Sequence, residues 1–278
     1  MKYVLTILFV SIGFKAIGQL DKDSIIDIHA HFWEMDKSVN EYFYSYASPM
    51  LSRVGGITII QQAGNLEGTR RMNDELINLS KINNKIIPIC TVHPYDGDSA
   101  VVELKRLKGL GVKMIKLHPI TQKFDIEDNR VSMITKEAGN LGIVVLIDAY
   151  TFYQKGNIEK LIYLAFENRK TKFVFAHIGG PEFNKFGFLG AIRKTDPWFA
   201  DNMWFDISGT VNVFAESPFK DEFEWTIQSI GIERILFGSD FPQFSVDNTI
   251  KALNKLRLTK AEKRMIMYSN AKKLLNLD

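Results

Sequence analysis

The sequence predicts a single-domain (β/α)₈ (TIM) barrel, and three observations support this fold class. Eight short runs rich in β-branched and aromatic residues recur roughly thirty residues apart. Helix-like stretches lie between them, and several runs are continuously apolar, as parallel strands covered on both faces must be. Eight strand–helix units within 278 residues fit one closed barrel.

The first four predicted strands are runs of β-branched residues interrupted by few polar positions. They read IIDIHAH (25–31), ITIIQ (57–61), KIIPICTV (85–92) and VKMIKL (112–117). An open doubly wound sheet would carry a glycine-rich phosphate turn after its first strand, whereas this strand runs into HFW without a glycine. The sequence therefore favours the closed barrel.

The last four predicted strands are the more strongly apolar ones. They read IVVLID (143–148), KFVFAH (172–177), MWFDI (203–207) and ILFGS (235–239). Helices are predicted over 99–107, 131–140, 158–168 and 222–230, with glycines at their ends. Two long connections, 32–54 and 178–202, are expected at the C-terminal mouth, where such loops shape a substrate pocket.

Residues 1–18 have the pattern of a cleavable export signal, which leaves 19–278 as the barrel domain. Lys2 precedes an apolar run of about eleven residues that is too short to span a bilayer, and small residues follow it. An N-terminal anchor or a buried strand is the alternative interpretation. No cysteine follows the run, so we expect a periplasmic or secreted protein without a stable membrane anchor.

The charge and cysteine content exclude two classes of protein. The chain has 35 basic and 32 acidic residues, a formal charge of +3, and no basic block that could neutralise a run of phosphates. Nucleic acid is therefore not an expected partner. The single cysteine, Cys90, cannot form an intramolecular disulfide framework. The expected partner is a small-molecule substrate, and the oligomeric state is left open.

Strands 1 and 8 end in residues that suit a divalent metal. His29 and His31 are two positions apart, so their imidazoles leave the same face of the strand. Asp240 follows strand 8, the neighbour of strand 1 in a closed barrel, and its carboxylate can ligate the same ion and accept a proton. The alternatives are a hydrogen-bonded histidine pair and an aspartate that forms a turn.

Strands 6 and 4 end in further polar side chains. His177 precedes two glycines that allow close approach of a substrate, so we expect it to act as acid, base or electrophile. Lys116 and His118 share a face and are expected to line the pocket. Lys116 needs either a carboxylate partner or a carbamate that bridges two metals. His93 and Trp33 complete the expected pocket, and a loop position is the alternative for His93.

These motifs, in this order, resemble the amidohydrolase superfamily. DIHAHFW, GVKMIKLHP, FAHIGG, RILFGSDFP and SNAKKLL cover nearly all of the chain after the signal. The resemblance is closest to the amidohydrolase-related branch, which includes aminocarboxymuconate semialdehyde decarboxylase and lactone hydrolases. It implies His29, His31 and Asp240 as metal ligands, Asp240 as proton carrier, and His177 as the group that polarises the substrate or activates water.

The chain departs from that family at the end of strand 5. Members usually place a metal-ligating histidine there, and this chain has Asp148. A carboxylate can ligate Zn²⁺ or Mn²⁺, so Asp148 is predicted as a further ligand. The contrary interpretation is a site that has lost its metal, with Asp148 paired to Lys116 or His118.

The sequence therefore predicts a metal-dependent hydrolase of a small cyclic or carboxylate-bearing molecule, with Zn²⁺ as the expected ion and Mn²⁺ as the alternative. Non-oxidative decarboxylation could use the same ligands, and an arginine facing inward, Arg53 or Arg193, would favour acids as substrates. A catalytically silent barrel that binds a ligand through its aromatic mouth is the third hypothesis.

Overall fold

The computed structural model describes residues 24–150 and 156–277. The predicted export signal lies outside these residues. Within the described ranges, no helix is both long and apolar enough to cross a membrane.

Eight parallel strands form one sheet in the order β1 to β8, which confirms the predicted (β/α)₈ barrel. Each strand pairs with the next along the chain. The strands are β1 Ile25–His31, β2 Leu51–Ile57, β3 Ile86–Thr91, β4 Met114–Leu117, β5 Val144–Ile147, β6 Phe173–Phe175, β7 Met203–Asp206 and β8 Ile235–Leu236.

Backbone hydrogen bonds between β1 and the chain after β8 close the barrel. Ile28 N donates to the carbonyl of Phe237 (3.0 Å), and His31 N donates to that of Phe241 (2.9 Å). Asp240 N donates in turn to the carbonyl of His29 (2.8 Å). The seam therefore sets the spacing between the two predicted sources of metal ligands.

Helices surround the barrel, and the predicted ones are confirmed with bounds that differ by one or two residues. The α-helices are Met35–Glu41, Leu66–Ile82, Asp98–Gly109, Pro119–Gln122, Asn129–Asn140, Asn157–Glu167, Asn184–Thr195, Thr210–Phe214, Lys220–Ile230, Val246–Asn254, Lys260–Arg264 and Asn270–Leu274. Tyr42–Tyr46 and Met265–Ser269 are π-helical, and Pro94–Asp96 and Ile232–Arg234 form 3₁₀ turns. Ala176–Glu182 is a kinked turn in which residues 177–180 depart from helical geometry.

The barrel interior is apolar below the mouth. A buried cluster fills it with inward side chains from seven strands and with residues of the C-terminal helix, which packs at the end opposite the mouth. A larger cluster lies between strands and helices. Because the interior is packed, the polar side chains at the strand ends are confined to the mouth. The interior cluster includes Ile26, Ile28, Ile87, Ile89, Met114, Leu146, Val174, Leu236, Ala271 and Leu274.

The predicted position of strand 2 is wrong. The strand is Leu51–Ile57, so the run 57–61 contributes only its first residue. The glycine pair within LSRVGGI is not typical of a strand. Glycine is nevertheless required at position 55, because a Cβ there would lie 2.8 Å from the carbonyl oxygen of Ile28. Ile59 and Ile60 instead follow the strand and line the cavity described below.

Neither long connection is an open loop. The one after β1 contains the helix Met35–Glu41 and a π-helical turn, and it ends at residue 50 rather than 54. The one after β6 contains the helix Asn184–Thr195. Their aromatic residues serve mostly for packing: Phe183 and Phe186 are buried.

A buried carboxylate ties the seam together. Asp27 on β1 accepts hydrogen bonds from Ser239 Oγ (2.6 Å), from Tyr42 Oη (2.7 Å) and from the backbone N–H groups of Ser239 and His29. Burial raises the pKa of Asp27 to about 6, although these donors act in the opposite direction. The barrel is thus closed by side chains as well as by backbone.

We predict that Tyr42→Phe destabilises the fold, because it removes a donor from a buried carboxylate. The expected loss is about 1.5 to 3 kcal/mol in the free energy of unfolding, measured by urea titration. Tyr44→Phe is the matched control, since Tyr44 is 93% exposed. Equal midpoints for the two variants would contradict this role of Tyr42.

Candidate active site

Three predicted metal ligands converge at the seam of the barrel. His31 Nε2 lies 3.4 Å from Asp240 Oδ1, and His29 Nε2 lies 3.7 Å from the same oxygen. One ligand atom from each residue falls within 4.8 Å of the other two. A shared divalent ion fits such a spacing between nitrogen and oxygen donors.

The donor set has an unsatisfied atom where the ion would lie. His29 is fully buried, and its Nε2 has no hydrogen-bond partner among the described residues. A buried ring nitrogen without a partner is costly unless it binds something else. His29, His31 and Asp240 therefore fit a divalent metal.

The orientation of His29 is fixed by the end of β7. Its Nδ1 lies 3.1 Å from Asp206 Oδ2 and 3.1 Å from Ser208 Oγ. Asp206 is fully buried and hydrogen-bonds Ser208 through both the backbone N–H and the hydroxyl. A carboxylate on Nδ1 holds the proton there, which leaves Nε2 as a lone-pair donor toward the site.

His177 lies in a strained turn directly after β6. Four consecutive residues, 177–180, have positive φ angles, including 59° at His177 and 46° at Ile178. A β-branched residue in this region is a genuine outlier, and such strain concentrates at functional sites. The turn is held by Thr210 Oγ1, which donates to the carbonyl of His177 (2.7 Å).

The His177 ring spans the pocket between two acceptor groups. Its Nδ1 lies 3.0 Å from the carbonyl oxygen of Ser208, and its Nε2 lies 3.5 Å from Asp148 Oδ2. The ring centroid is 4.8 Å from that of His29. The structure thus brings His177 beside the ligand group, where it can reach a bound molecule.

Asp148, the predicted further ligand, faces a different set of groups. Its Oδ2 lies 3.3 Å from Lys116 Nζ and 3.7 Å from His118 Nε2, in addition to the contact with His177. Within the described residues it does not join the cluster of His29, His31 and Asp240. Lys116 is completely buried and has this carboxylate as its ion-pair partner.

The electrostatics divide the histidines into two classes. Burial first, and then the charge of Lys116, lower the pKa of His29 to about 4, and burial likewise lowers the pKa of His31. Burial would also lower the pKa of His177, but the carboxylates of Asp148, Asp240 and Asp206 outweigh it and raise this pKa to about 9. Neutral His29 and His31 suit a metal, and cationic His177 suits an acid or an anion-stabilising group.

A cavity of about 540 Å³ opens over this group. Trp33 lies at its rim near His31 (5.1 Å between ring centroids), and Tyr150 lies near His177 (5.8 Å). The described lining residues are His31, Trp33, Ile59, Ile60, His118, Ile120, Thr121, Asp148, Tyr150, His177, Asp240 and Gln243.

Two expected pocket residues do not line this cavity. His93 is buried, with Nε2 2.7 Å from the carbonyl of Gln122 and Nδ1 accepting from Tyr95 N, so both ring nitrogens serve the local fold. Lys116 lies beneath the cavity wall, covered by Asp148. Trp33 and His118 do reach the lining.

Sequence reasoning missed the groups that support the ligands. Asp206, Ser208 and Asp27 were not singled out, although WFDIS places a carboxylate at the end of an apolar strand in the same way as FGSD. That recurrence was the available signal. The role of Ser208 could not be predicted in this way, because it depends on contacts with His29 and His177, which are distant in sequence.

We predict that Asp206→Asn weakens metal binding by about 10- to 100-fold, because the amide no longer fixes the tautomer of His29. Competition with a chromophoric chelator measures this affinity. Asp247→Asn is the control, since it removes one exposed carboxylate from the helix Val246–Asn254. An affinity of Asp206→Asn equal to that of the control would refute the orienting role.

The raised pKa of His177 predicts a pH-dependent stability in metal-free protein. A cation whose pKa rises from 6.5 to about 9 on folding stabilises the fold below pH 6.5, and this contribution is lost as the pH rises through 9. The expected loss is about 3 kcal/mol in the free energy of unfolding. Urea titrations at pH 6, 7.5 and 9.5 should show this decline, and His177→Gln should flatten it. A decline of equal size in His177→Gln would count against the assignment.

Comparisons with known proteins place this site in context. A putative amidohydrolase from Staphylococcus aureus is 20% identical, with a TM-score of 0.68, over 91% of this chain and all of that one. A 2,6-dihydroxybenzoate decarboxylase from Rhizobium is 15% identical (TM-score 0.68; 92% and 99% covered). A dihydroxybenzoic acid decarboxylase from Polaromonas, with bound manganese and 2-nitroresorcinol, is 14% identical (TM-score 0.67; 92% and 97% covered).

At these identities the solved structures establish the shared fold. No curated protein sequence matches the chain. The amidohydrolase family profile, in contrast, matches residues 26–277, which is nearly all of the barrel and includes every candidate ligand described above. The chain therefore belongs to the amidohydrolase family.

Proposed function

We propose that the protein is a metal-dependent hydrolase of a small cyclic molecule with a neutral amide, lactone or related ester bond. The observation that carries this choice is the charge of the cavity wall. Asp148 and Asp240 line it, and the described lining contains no arginine or lysine. Among the described lining residues, a free substrate carboxylate would have only His177 as a cationic partner besides the metal.

Neither candidate arginine reaches the cavity. Arg53 donates to the carbonyl of Asn84 (2.6 Å) at an exposed position. Arg193 donates to the carbonyl of Ile230 and pairs with Glu233. Both guanidinium groups are thus engaged elsewhere, which supports a substrate without an anchoring carboxylate.

Each residue near the ion has a role that its environment supports. A divalent ion held by His29, His31 and Asp240 would polarise a carbonyl and lower the pKa of a water molecule. Asp240, whose side chain is 16% exposed, can accept a proton at Oδ2 while Oδ1 faces the histidines. Cationic His177 can stabilise the developing oxyanion or donate a proton to the leaving group.

The aromatic side chains at the rim favour a flat substrate. Trp33 and Tyr150 flank the cavity on the sides of His31 and His177, respectively. Ile59, Ile60 and Ile120 add apolar surface. A ring that packs between these side chains would present one edge to the polar group below.

Non-oxidative decarboxylation in the same pocket is the second candidate. The observation in its favour is that several structurally similar proteins are named as decarboxylases of dihydroxybenzoic acids, one of them with bound manganese. In that case the ion would hold the acid, and His177 would supply the proton that replaces carbon dioxide.

We predict zinc- or manganese-dependent opening of neutral aromatic lactones or cyclic amides by purified protein. The assay compares ring opening with carbon dioxide release from hydroxybenzoic and dienoic acids, with each metal and with a chelator. Carbon dioxide release without ring opening would replace the hydrolase by the decarboxylase. Failure of both reactions with metal bound would remove both candidates.

For the reaction that is found, Asp240→Asn and His177→Gln should each lower kcat/KM by about 100- to 10,000-fold, because each removes a proton-transfer or anion-stabilising group. His93→Gln, outside the cavity, is the control and should retain activity within a few-fold. Wild-type rates in His177→Gln would exclude the proposed role of that residue.

A further inference from the structure

We propose that Asp148 is not a metal ligand but a positioning residue, whose carboxylate holds Lys116 and His177 at the cavity wall. The inference rests on the proposed metal-dependent function and concerns how the same site is built. It reassigns the strand-5 position, where the sequence led us to expect a ligand in place of a histidine.

Asp148 is an anion surrounded by nitrogen atoms, two of which belong to the cations Lys116 and His177. Three nitrogen atoms face its Oδ2, at 3.3 Å from Lys116, 3.5 Å from His177 and 3.7 Å from His118. Its Oδ1 accepts from the backbone N–H of Tyr150 (3.2 Å). Both oxygens therefore have partners, and a carboxylate satisfied in this way gains little from turning toward an ion.

The ligand group is complete without Asp148. His29, His31 and Asp240 already supply three donors with mutual spacings within 4.8 Å. Three protein ligands with open positions for substrate and water are the usual arrangement of a catalytic ion.

Lys116 explains why this position carries a negative charge. Its ammonium group is completely buried below the mouth, and Asp148 is its ion-pair partner. Removing one partner of a buried pair leaves an uncompensated charge, which is strongly destabilising. A neutral histidine at 148 would leave that cation unpaired and close to the divalent ion, so the two residues form one unit.

The unit also fixes the ring of His177. Nδ1 is held by the Ser208 carbonyl at 3.0 Å, and Asp148 lies on the opposite side of the ring at 3.5 Å from Nε2. Without Asp148, the ring would keep its contacts with Ser208 at Nδ1 but lose the anion at Nε2, so hydrogen bonds would orient it from one side only. Asp148 thus acts on the reaction through His177 and not through the ion.

The first experiment measures metal affinity by chelator competition, with no need for a substrate. The double variant Asp148→Asn, Lys116→Met removes both buried charges and should bind Zn²⁺ and Mn²⁺ within about threefold of wild type, whereas His31→Ala should lose at least tenfold, as expected for loss of a ligand. Asp247→Asn is the control for loss of an exposed carboxylate. A tenfold or greater loss in the folded double variant would overturn the proposal, because it would make Asp148 a ligand.

The second experiment tests whether Asp148 and Lys116 act as one unit. Asp148→His alone should weaken metal binding, because it leaves the Lys116 charge near the ion. The double variant Asp148→His, Lys116→Met should recover it at least tenfold. Equal affinities of the single and double variants would contradict the coupling. Thermal melts establish that each variant is folded.

The third experiment separates positioning from a merely structural role. In protein labelled with ¹⁵N-histidine, the His177 ring resonances, assigned with His177→Gln, should shift in Asp148→Gly and return when formate is added. With a working substrate, kcat should fall and recover with formate while KM changes little. Unshifted resonances would overturn the proposal, whereas absent wild-type turnover alongside the expected shifts would refute only the proposed function.

Discussion

Closure of the barrel between β1 and the chain after β8 is the constraint on which the site depends. Asp27 bridges this seam through Ser239, and a Cβ on Gly238 would lie 2.8 Å from the Cβ of His29, so only glycine allows the approach. The candidate metal ligands come from opposite sides of the seam. Any loosening of closure would therefore change the distance between the histidines and Asp240 directly.

The site residues lie on two kinds of backbone, regular strand and strained turn. His29 and His31 project from a hydrogen-bonded strand, which holds a ligand pair at fixed spacing. His177 and Asp240 instead follow strands that have already ended, and both have positive φ angles near 60°. These conformations are unfavourable in an isolated peptide, so the surrounding hydrogen bonds must stabilise them. The conformations of His177 and Asp240, the proposed acid–base residues, thus depend on tertiary contacts more than those of the paired histidines do.

Local sequence patterns predicted the features that are determined within a single strand. Continuously apolar runs located seven strands, and polar residues at their ends located His29, His31, His177 and Asp240. The failures arose where a residue's role depends on a distant partner. Strand 2 was misplaced because the need for its glycines arises only from contacts with neighbouring strands and with Phe32. Asp206 was missed because its partner is 177 residues away. His93 looked like a pocket residue until its contact with the Gln122 carbonyl was visible.

The strand-5 aspartate shows why a departure from a family pattern needs its spatial partners before it can be interpreted. Taken alone, an aspartate in place of a histidine indicates either a substituted ligand or a lost site. With Lys116 fully buried at 3.3 Å, neither is required, because the added negative charge is cancelled by an equally buried positive one. The pair leaves the charge near the proposed ion close to that of a neutral histidine site, so the ligand group proposed at the seam does not require a histidine at position 148.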